Sequence, residues 1–203
     1  QEGPGKLQRG DLLDFFLGSL EKRLQQAPAG RIDRDVDPAE LADRRVGQPS
    51  QVFLAGEIGV GHGEPADFGA FAARQEALLR DAKRRGAELA VLPEYLSLEL
   101  AAMFDPATRS DLHASLAAIQ SLRSAWMALY ARLARELDLH INAGSFLLGN
   151  GHGRYRNRSD LFAPDGGHLW QDKLRLTGFE KNTGVIESGD ALKVFEVDRV
   201  RAG

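Results

Sequence analysis

The carboxylate of Glu94 comes directly after a short apolar run in the segment AELAVLPEYLSLEL, residues 87–100. Residues 88–92 have the composition of a buried β-strand, and Pro93 fixes φ and ends the strand's hydrogen-bonded ladder. In open α/β sheets the ligand crevice lies just beyond the carboxyl ends of the strands, so a carboxylate here is placed to meet a ligand. The alternative is a solvated loop glutamate with no chemical role.

A strand, a helix and a second strand must position Glu94. The segment QVFLAGEI, residues 51–58, has strand character, and residues 68–82 follow the i, i+3, i+4 apolar rhythm of an amphipathic helix that ends at Gly86. A strand, helix and strand in this order predict two parallel strands joined by a right-handed crossover. Glu94 is therefore expected at a carboxyl end of the sheet.

A glycine-rich loop follows the first of these strands and resembles a dinucleotide-binding loop. Its sequence, GVGHGEP, would need glycine at position 64 to complete G-x-G-x-x-G, but Glu64 stands there. An acidic side chain at that point would repel a pyrophosphate. Glu94 nevertheless falls where a ribose-binding acid would lie, so nucleotide binding remains the weaker alternative.

Composition limits the function classes. The chain has 203 residues, of which 43% are hydrophobic and 27% charged, and this predicts a globular protein with one main domain. Because the formal net charge is −3 and basic residues are dispersed, we expect a small partner molecule and neither nucleic acid nor membrane.

No apolar run approaches the roughly 20 residues of a membrane-spanning helix, which favours a cytoplasmic protein. The sequence has no cysteine and its five histidines form no i, i+4 pair, so no metal or other cofactor is expected.

The sequence pattern changes near residue 50. Residues 11–26 have helical spacing with Asp11 as the N-cap, whereas residues 27–50 hold three prolines and no sustained period. We divide the chain accordingly into an N-terminal helix and extended arm, 1–50, and a domain, 51–203.

The second half of the domain combines a helix with several strands. Residues 110–137 predict one long helix with a single apolar face, and three strand-like segments follow: HINAGSFLL, RNRSDLFA and GHLWQDK. The last two are joined by PDGG, a hairpin turn sequence. After an irregular stretch, a final strand is predicted at ALKVFEVD, residues 191–198. An antiparallel section thus follows the parallel one, which indicates the α/β class.

Three segments are similar to the nitrilase superfamily of carbon–nitrogen hydrolases: GAELAVLPEY, INAGSFLL with YRNRSDLFAPDGGHLWQDK, and KLRLTGFEKNTGVIESGDALKVFEVD. They follow the order and separations of that family, and the resemblance covers residues 51–203. The resemblance implies an αββα sandwich that pairs with a second copy, and a Glu–Lys–Cys catalytic triad. It matches Glu94 to the general base, Lys173 to the lysine that stabilises the oxyanion, and Glu180 to an additional glutamate after that lysine.

The residue types also suit the hydrolysis of an amide. An amide carbon is a poor electrophile, so the reaction is helped by an activated nucleophile with a nearby base and by a fixed positive charge at the developing oxyanion. Glu94 and Lys173 would supply the base and the charge, although a purely structural ion pair between them is the alternative. The family implies small amide, nitrile, N-carbamoyl or ω-amido acid substrates.

The nucleophilic cysteine is where the chain departs from the family. In the family it follows the final strand by a few residues, but this sequence ends at VRAG, with no serine or threonine in the equivalent place. We expect a domain that is incomplete at its C-terminus and inactive alone, with the cysteine beyond residue 203. The alternative is a non-catalytic nitrilase-like remnant that binds a ligand or partner. A reading frame that continues past Gly203 to a nearby cysteine would favour the enzyme.

The expected homodimer gives a first prediction. The helical faces of two sandwiches would pack together, and residues 110–137 offer a candidate surface. Sedimentation velocity of the full-length protein at micromolar concentration should show a dimer. Sedimentation as a monomer alone would contradict this expectation.

Overall fold

In a computed structural model of the protein, the described residues are 52–54 and 65–194. The helix predicted at 11–26 and most of the glycine-rich loop lie outside them. The elements follow in chain order as β1 (Val52–Leu54), α1 (Phe68–Arg84), β2 (Leu89–Val91), a 3-10 helix (Leu96–Met103), α2 (Pro106–Ser110), α3 (Leu112–Ile119), a 3-10 turn (Gln120–Leu122), α4 (Arg123–Leu137), β3 (His140–Gly149), β4 (Tyr155–Phe162), β5 (His168–Asp172), α5 (Gly178–Thr183) and β6 (Ile186–Glu187).

The strands form one mixed sheet in the order β1-β2-β3-β4-β5, with β6 paired to β4. The first three strands are parallel, with Val52 opposite Leu89 and Leu89 opposite His140. Strands β3, β4 and β5 are antiparallel neighbours, with Ile141 opposite Phe162. The predicted parallel section followed by an antiparallel section is confirmed, and the fold class is α/β.

Helix α1 forms as its sequence predicts. The Asp67 side chain accepts a hydrogen bond from the N–H of Ala70 at 2.8 Å and so caps the N-terminus. The chain leaves the helix through Gly86, whose φ of +89° is in the left-handed region. The buried face holds the residues that carry the apolar rhythm: Phe71, Gln75, Leu78, Leu79 and Ala82.

The single long helix predicted at 110–137 is wrong. At Asp111 the backbone is extended, with φ −112° and ψ 120°, and its side chain caps α3 by accepting from Ala114 N–H at 2.8 Å. A 3-10 turn, Gln120–Leu122, then separates α3 from α4. Asp111 therefore sets the start of the helical segment close to the predicted one, and the 3-10 turn is what divides it into two α-helices.

The strands of the second half agree with the sequence up to β5. The PDGG turn closes the β4–β5 hairpin, with Ala163 N–H donating to the carbonyl of Gly167 at 2.8 Å. The predicted first strand, 51–58, is a strand at Val52–Leu54, and its later residues lie outside the described part. Of the predicted final strand, residues 191–194 are described and do not form a strand. The stretch expected to be irregular contains α5 and β6.

The helices cover one face of the sheet through an aromatic core. Trp126 of α4 packs edge-on against Phe146 of β3 at 5.4 Å between ring centroids, and it stacks with Phe71 of α1 at 5.7 Å. Tyr130 of α4 stacks with Phe162 of β4 at 6.1 Å. Burial of such large side chains is the main stabilising term of this helix-on-sheet layer pair.

The opposite face of the sheet carries a smaller apolar cluster. Leu89 is buried there, and Val91 and Leu161 pack against it. These residues alternate along their strands with residues of the aromatic core, as the two-residue period of a strand requires. Both faces of the sheet are therefore partly apolar, which is the pattern of a central layer in a sandwich.

A bulge in β3 shapes the sheet beside Glu94. The β3–β4 register shifts between Asn142 and Ser145, and Gly144 within the bulge has φ +69°. A Cβ atom on Gly144 would lie 2.1 Å from the carbonyl oxygen of Pro93. Only glycine allows the backbone that precedes Glu94 to come this close.

We predict that Gly144→Ala lowers the free energy of unfolding by about 2 to 4 kcal/mol, because it adds a backbone clash to the left-handed strain. Gly151→Ala is the matched control: Gly151 also has positive φ, +83°, but nothing lies within 4 Å of its Cβ position. That control should cost only about 1 kcal/mol. Equal losses for both variants in urea unfolding would show that the contact with Pro93 does not matter.

Candidate active site

Glu94 lies in a tight turn between β2 and the 3-10 helix. Tyr95 adopts a left-handed conformation with φ 65°, which costs a non-glycine residue about 1 to 2 kcal/mol. Its N–H donates to Oγ of Ser145 in the β3 bulge at 2.7 Å, and this bond helps to hold the turn. Two residues of the β3 bulge therefore fix this turn: Gly144 allows the close approach of Pro93, and Ser145 accepts the hydrogen bond from Tyr95.

Lys173 directly follows β5, which runs in the same direction as β2. Its N–H donates to the carbonyl of Asn157 on β4 at 2.9 Å, and its own carbonyl accepts from Gly189 N–H at 2.8 Å. The backbone of Lys173 is thus held from two sides. Strands β2 and β5 end at the same edge of the sheet, with β3 and β4 between them, and the side chains of Lys173 and Glu94 meet across these two strands.

Glu180 is positioned by the first turn of α5. Thr177 is the N-cap, and the two residues form a capping box: Glu180 N–H donates to Thr177 Oγ1 at 3.2 Å, and Thr177 N–H donates to Glu180 Oε2 at 2.6 Å. The other oxygen, Oε1, accepts from the hydroxyl of Tyr95 and from Nζ of Lys173. Both carboxylate oxygens of Glu180 are therefore engaged.

The structure brings all three residues singled out from the sequence into one cluster. Nζ of Lys173 lies 2.8 Å from Oε1 of Glu94 and 3.0 Å from Oε1 of Glu180. The two carboxylates differ in exposure, since 35% of the Glu94 side chain is exposed but only 1% of the Glu180 side chain. Glu94 is thus the carboxylate that a ligand can reach.

The charges of the cluster stabilise one another. Burial works against the ammonium, but hydrogen bonds and charge attraction from Glu94 and Glu180 outweigh it and raise the pKa of Lys173 above its ordinary value. Burial likewise works against the Glu180 carboxylate, but hydrogen bonds from Tyr95, Thr177 and Lys173 outweigh it and lower its pKa. Burial, and after it the bond to Glu180, raise the pKa of the Tyr95 phenol, so this hydroxyl stays a donor.

Sequence reasoning missed two groups of the cluster. Asn157 donates through Nδ2 to Oε1 of Glu94 at 2.7 Å, and Tyr95 donates to Glu180. The sequence does contain a signal for Asn157. The alternation of side chains along β4 places it on the buried side between two arginines, and a buried polar side chain usually has a specific hydrogen-bond partner. Tyr95 directly follows Glu94 in the sequence, but its partner Glu180 lies 85 residues away, so no local pattern predicts this contact.

Among the described residues, no group of three or more His, Cys, Asp or Glu side chains is arranged to hold a metal ion. No helix in the described part of the chain has the length and apolar character to cross a membrane.

The family profile named carbon-nitrogen hydrolase matches residues 47–203, more than half of the chain. The chain belongs to the carbon–nitrogen hydrolase family. This confirms the resemblance to the nitrilase superfamily that the sequence segments indicate. No curated protein sequence matches the chain significantly.

Solved structures of this family are similar to the chain at low identity. A carbon–nitrogen hydrolase from Helicobacter pylori G27 has 17% identity and a TM-score of 0.48 over 64% of this chain and 42% of its own. Nit3 of Saccharomyces cerevisiae, of the nitrilase superfamily, has 16% identity and a TM-score of 0.43 over 65% and 46%. An amidase from Nesterenkonia sp. has 17% identity and a TM-score of 0.46 over 72% and 50%. The chain thus spans about half, or less, of the length of these proteins.

The lowered pKa of Glu180 predicts a pH-dependent contribution to stability. A carboxyl group whose pKa is lower in the folded state stabilises the fold above its ordinary pKa of 4.5 and loses this effect as the pH falls through the folded value. At pH 7, Glu180→Gln should therefore lower the free energy of unfolding by about 2 to 3 kcal/mol, as expected for hydrogen bonds to a buried charge. The difference from wild type should shrink below about pH 4.5.

Urea unfolding at several pH values between 3 and 7 measures this difference. Glu187→Gln is the control, since Glu187 is more exposed and pairs with Asn150 and Arg154, and it should cost less than about 1 kcal/mol. A Glu180→Gln penalty that stays constant down to pH 3 would contradict the assignment of Glu180 as an ionised partner.

Proposed function

We propose that the protein is an amidase-like hydrolase that acts on carbon–nitrogen bonds other than peptide bonds, converting a small amide or related substrate to a carboxylate and ammonia. The observation that carries the proposal is the ammonium of Lys173, held between Glu94 and Glu180 at one edge of the sheet. Family membership supports it, since this chain belongs to the carbon–nitrogen hydrolases. The same resemblance supports a homodimer, and we propose that the protein acts in the cytoplasm.

The proposed nucleophile is a cysteine thiol, which these 203 residues do not contain. In this mechanism the thiol, supplied from beyond residue 203, loses its proton to Glu94, and the sulfur attacks the amide carbon. The carbonyl oxygen becomes an oxyanion that the Lys173 ammonium stabilises. Glu94 then gives the proton to the leaving ammonia, and a water molecule hydrolyses the thioester to release the carboxylate.

The two carboxylates have different proposed roles. Glu94 is the more exposed one, so it is the group that can exchange a proton with a substrate. Glu180 is 1% exposed and accepts hydrogen bonds on both oxygens, and its lowered pKa keeps it ionised. In this proposal Glu180 therefore keeps Lys173 charged and in place, and it takes no part in proton transfer.

We predict that Glu94→Gln lowers kcat/KM by about 10²- to 10⁴-fold, as for loss of a general base. Lys173→Ala should lower it by about 10²- to 10³-fold through loss of oxyanion stabilisation, and Glu180→Gln should cost less than either. Because Glu94 and Lys173 act on one step, the double variant should be little worse than the single ones. The measurement is ammonia release by the full-length protein from a panel of small amides.

Melting temperatures of all variants exclude unfolding as the cause. Lys181→Ala, an exposed lysine on α5, and Glu187→Gln are the matched controls and should keep wild-type turnover. Near wild-type turnover of Glu94→Gln would refute the base assignment. A folded wild-type protein that releases no ammonia from any compound of the panel would favour the non-catalytic, ligand-binding alternative.

A further inference from the structure

Asn157 contacts both residues that the proposed function requires. Its side-chain Nδ2 donates to Oε1 of Glu94 at 2.7 Å, and its backbone carbonyl accepts from Lys173 N–H at 2.9 Å. It lies on β4, the strand between the bulge of β3 that holds the Glu94 turn and the strand β5 that leads into Lys173. Asn157 therefore joins two segments that lie 79 residues apart in sequence.

We propose that Asn157 is a positioning residue that fixes the carboxylate of Glu94 against Lys173, an inference that rests on the proposed function of Glu94 as base. Two donors, Asn157 Nδ2 and Lys173 Nζ, converge on the same oxygen of Glu94. A lysine alone is a flexible point charge and leaves the carboxylate free to rotate about it. The amide comes from a rigid strand and adds a second direction, so together the two donors define the orientation of the carboxylate.

The burial of Asn157 supports a role in function over a role in stability. The residue is 3% exposed, and among the described residues its Oδ1 has no hydrogen-bond partner. A buried acceptor without a partner costs about 1 to 3 kcal/mol. Leu147, which is opposite Asn157 on β3, is fully buried, so an apolar side chain would suit this position. The chain thus keeps an amide at this position although one of its two polar atoms is buried without a partner among the described residues.

The decisive variant is Asn157→Leu, which preserves the approximate volume and removes both polar atoms. We expect the melting temperature to change little, because loss of the Nδ2 bond to Glu94 is offset by removal of the unpaired Oδ1, while kcat falls about 10- to 100-fold and KM changes by less than about threefold. Asn150→Ala is the matched control, since Asn150 donates through Nδ2 to Glu187 at 2.9 Å on the exposed surface. It should leave kcat and KM unchanged.

A second measurement uses the side-chain amide signal of Asn157 in the nuclear magnetic resonance spectrum of the full-length protein. Replacing Glu94 by Gln removes the charged acceptor, so this signal should shift, whereas the signal of Asn150 should not. The experiment needs neither a folded Asn157 variant nor a known substrate. It therefore tests the bond between Asn157 and Glu94 even if no amide is hydrolysed, so failure of this bond and failure of the proposed function can be distinguished.

Three results would overturn the inference. One is wild-type kcat in Asn157→Leu. Another is a lower melting temperature of that variant with a matching loss of active protein, since this would mark Asn157 as structural. The third is an Asn157 amide signal that does not respond to Glu94→Gln.

Discussion

One ammonium group shared by two carboxylates is the constraint on which the rest of this structure depends. Lys173 is only 25% exposed, and withdrawing its charge from water is costly unless opposite charges and hydrogen bonds replace the lost hydration. Glu94 and Glu180 supply both. With one ammonium and two carboxylates the cluster has a net charge of −1, so loss of either carboxylate leaves a neutral ion pair. That loss nevertheless removes one of the two carboxylate acceptors that replace the hydration of the Lys173 ammonium.

The fold meets this constraint by bringing three separate segments to one edge of the sheet. Strands β2 and β5 point the same way, so Glu94 and Lys173 follow strand ends at the same edge of the sheet, and their side chains meet across β3 and β4. The bulge at Gly144 lets the Glu94 turn approach β3, and the capping box of α5 aims Glu180 at the same ammonium. Each device is local, and the close contact with Pro93 and the left-handed Tyr95 indicate that rigidity at this edge is maintained at a cost in stability.

Local sequence patterns predict most of the secondary-structure elements at this edge of the sheet, but they do not predict which side chains contact one another there. The strand that ends before Glu94, the helix that precedes it and the PDGG hairpin are all defined by short-range periodicity and turn chemistry, and the structure contains them. The pairing of Glu94 with Lys173 joins residues 79 positions apart, which no local period encodes, and it was anticipated only through the family resemblance.

The wrong helix prediction and the omission of Asn157 have the same physical origin, since both depend on features that no local sequence pattern marks. The apolar rhythm of residues 110–137 hid the 3-10 turn at Gln120–Leu122, because a single short turn of different helix type interrupts the apolar rhythm too briefly to be noticed. The sequence analysis did not single out Asn157 for a related reason. Its hydrogen-bond partner, Glu94, lies on a turn that is distant in the sequence. Patterns of burial are readable from sequence, whereas the choice of a polar partner is decided by tertiary structure.

The most direct test of the shared ammonium is a titration of Lys173 by ¹⁵N nuclear magnetic resonance, with the signal assigned from its loss in Lys173→Met. A lysine stabilised by two carboxylates must have its pKa raised above the ordinary value of 10.5, and its contribution to stability is lost only as the pH rises through that higher value. We predict a midpoint above 10.5 that falls when either Glu94 or Glu180 is replaced by glutamine. A midpoint at or below 10.5 in the wild-type protein would contradict the account, because burial would then outweigh the two carboxylates.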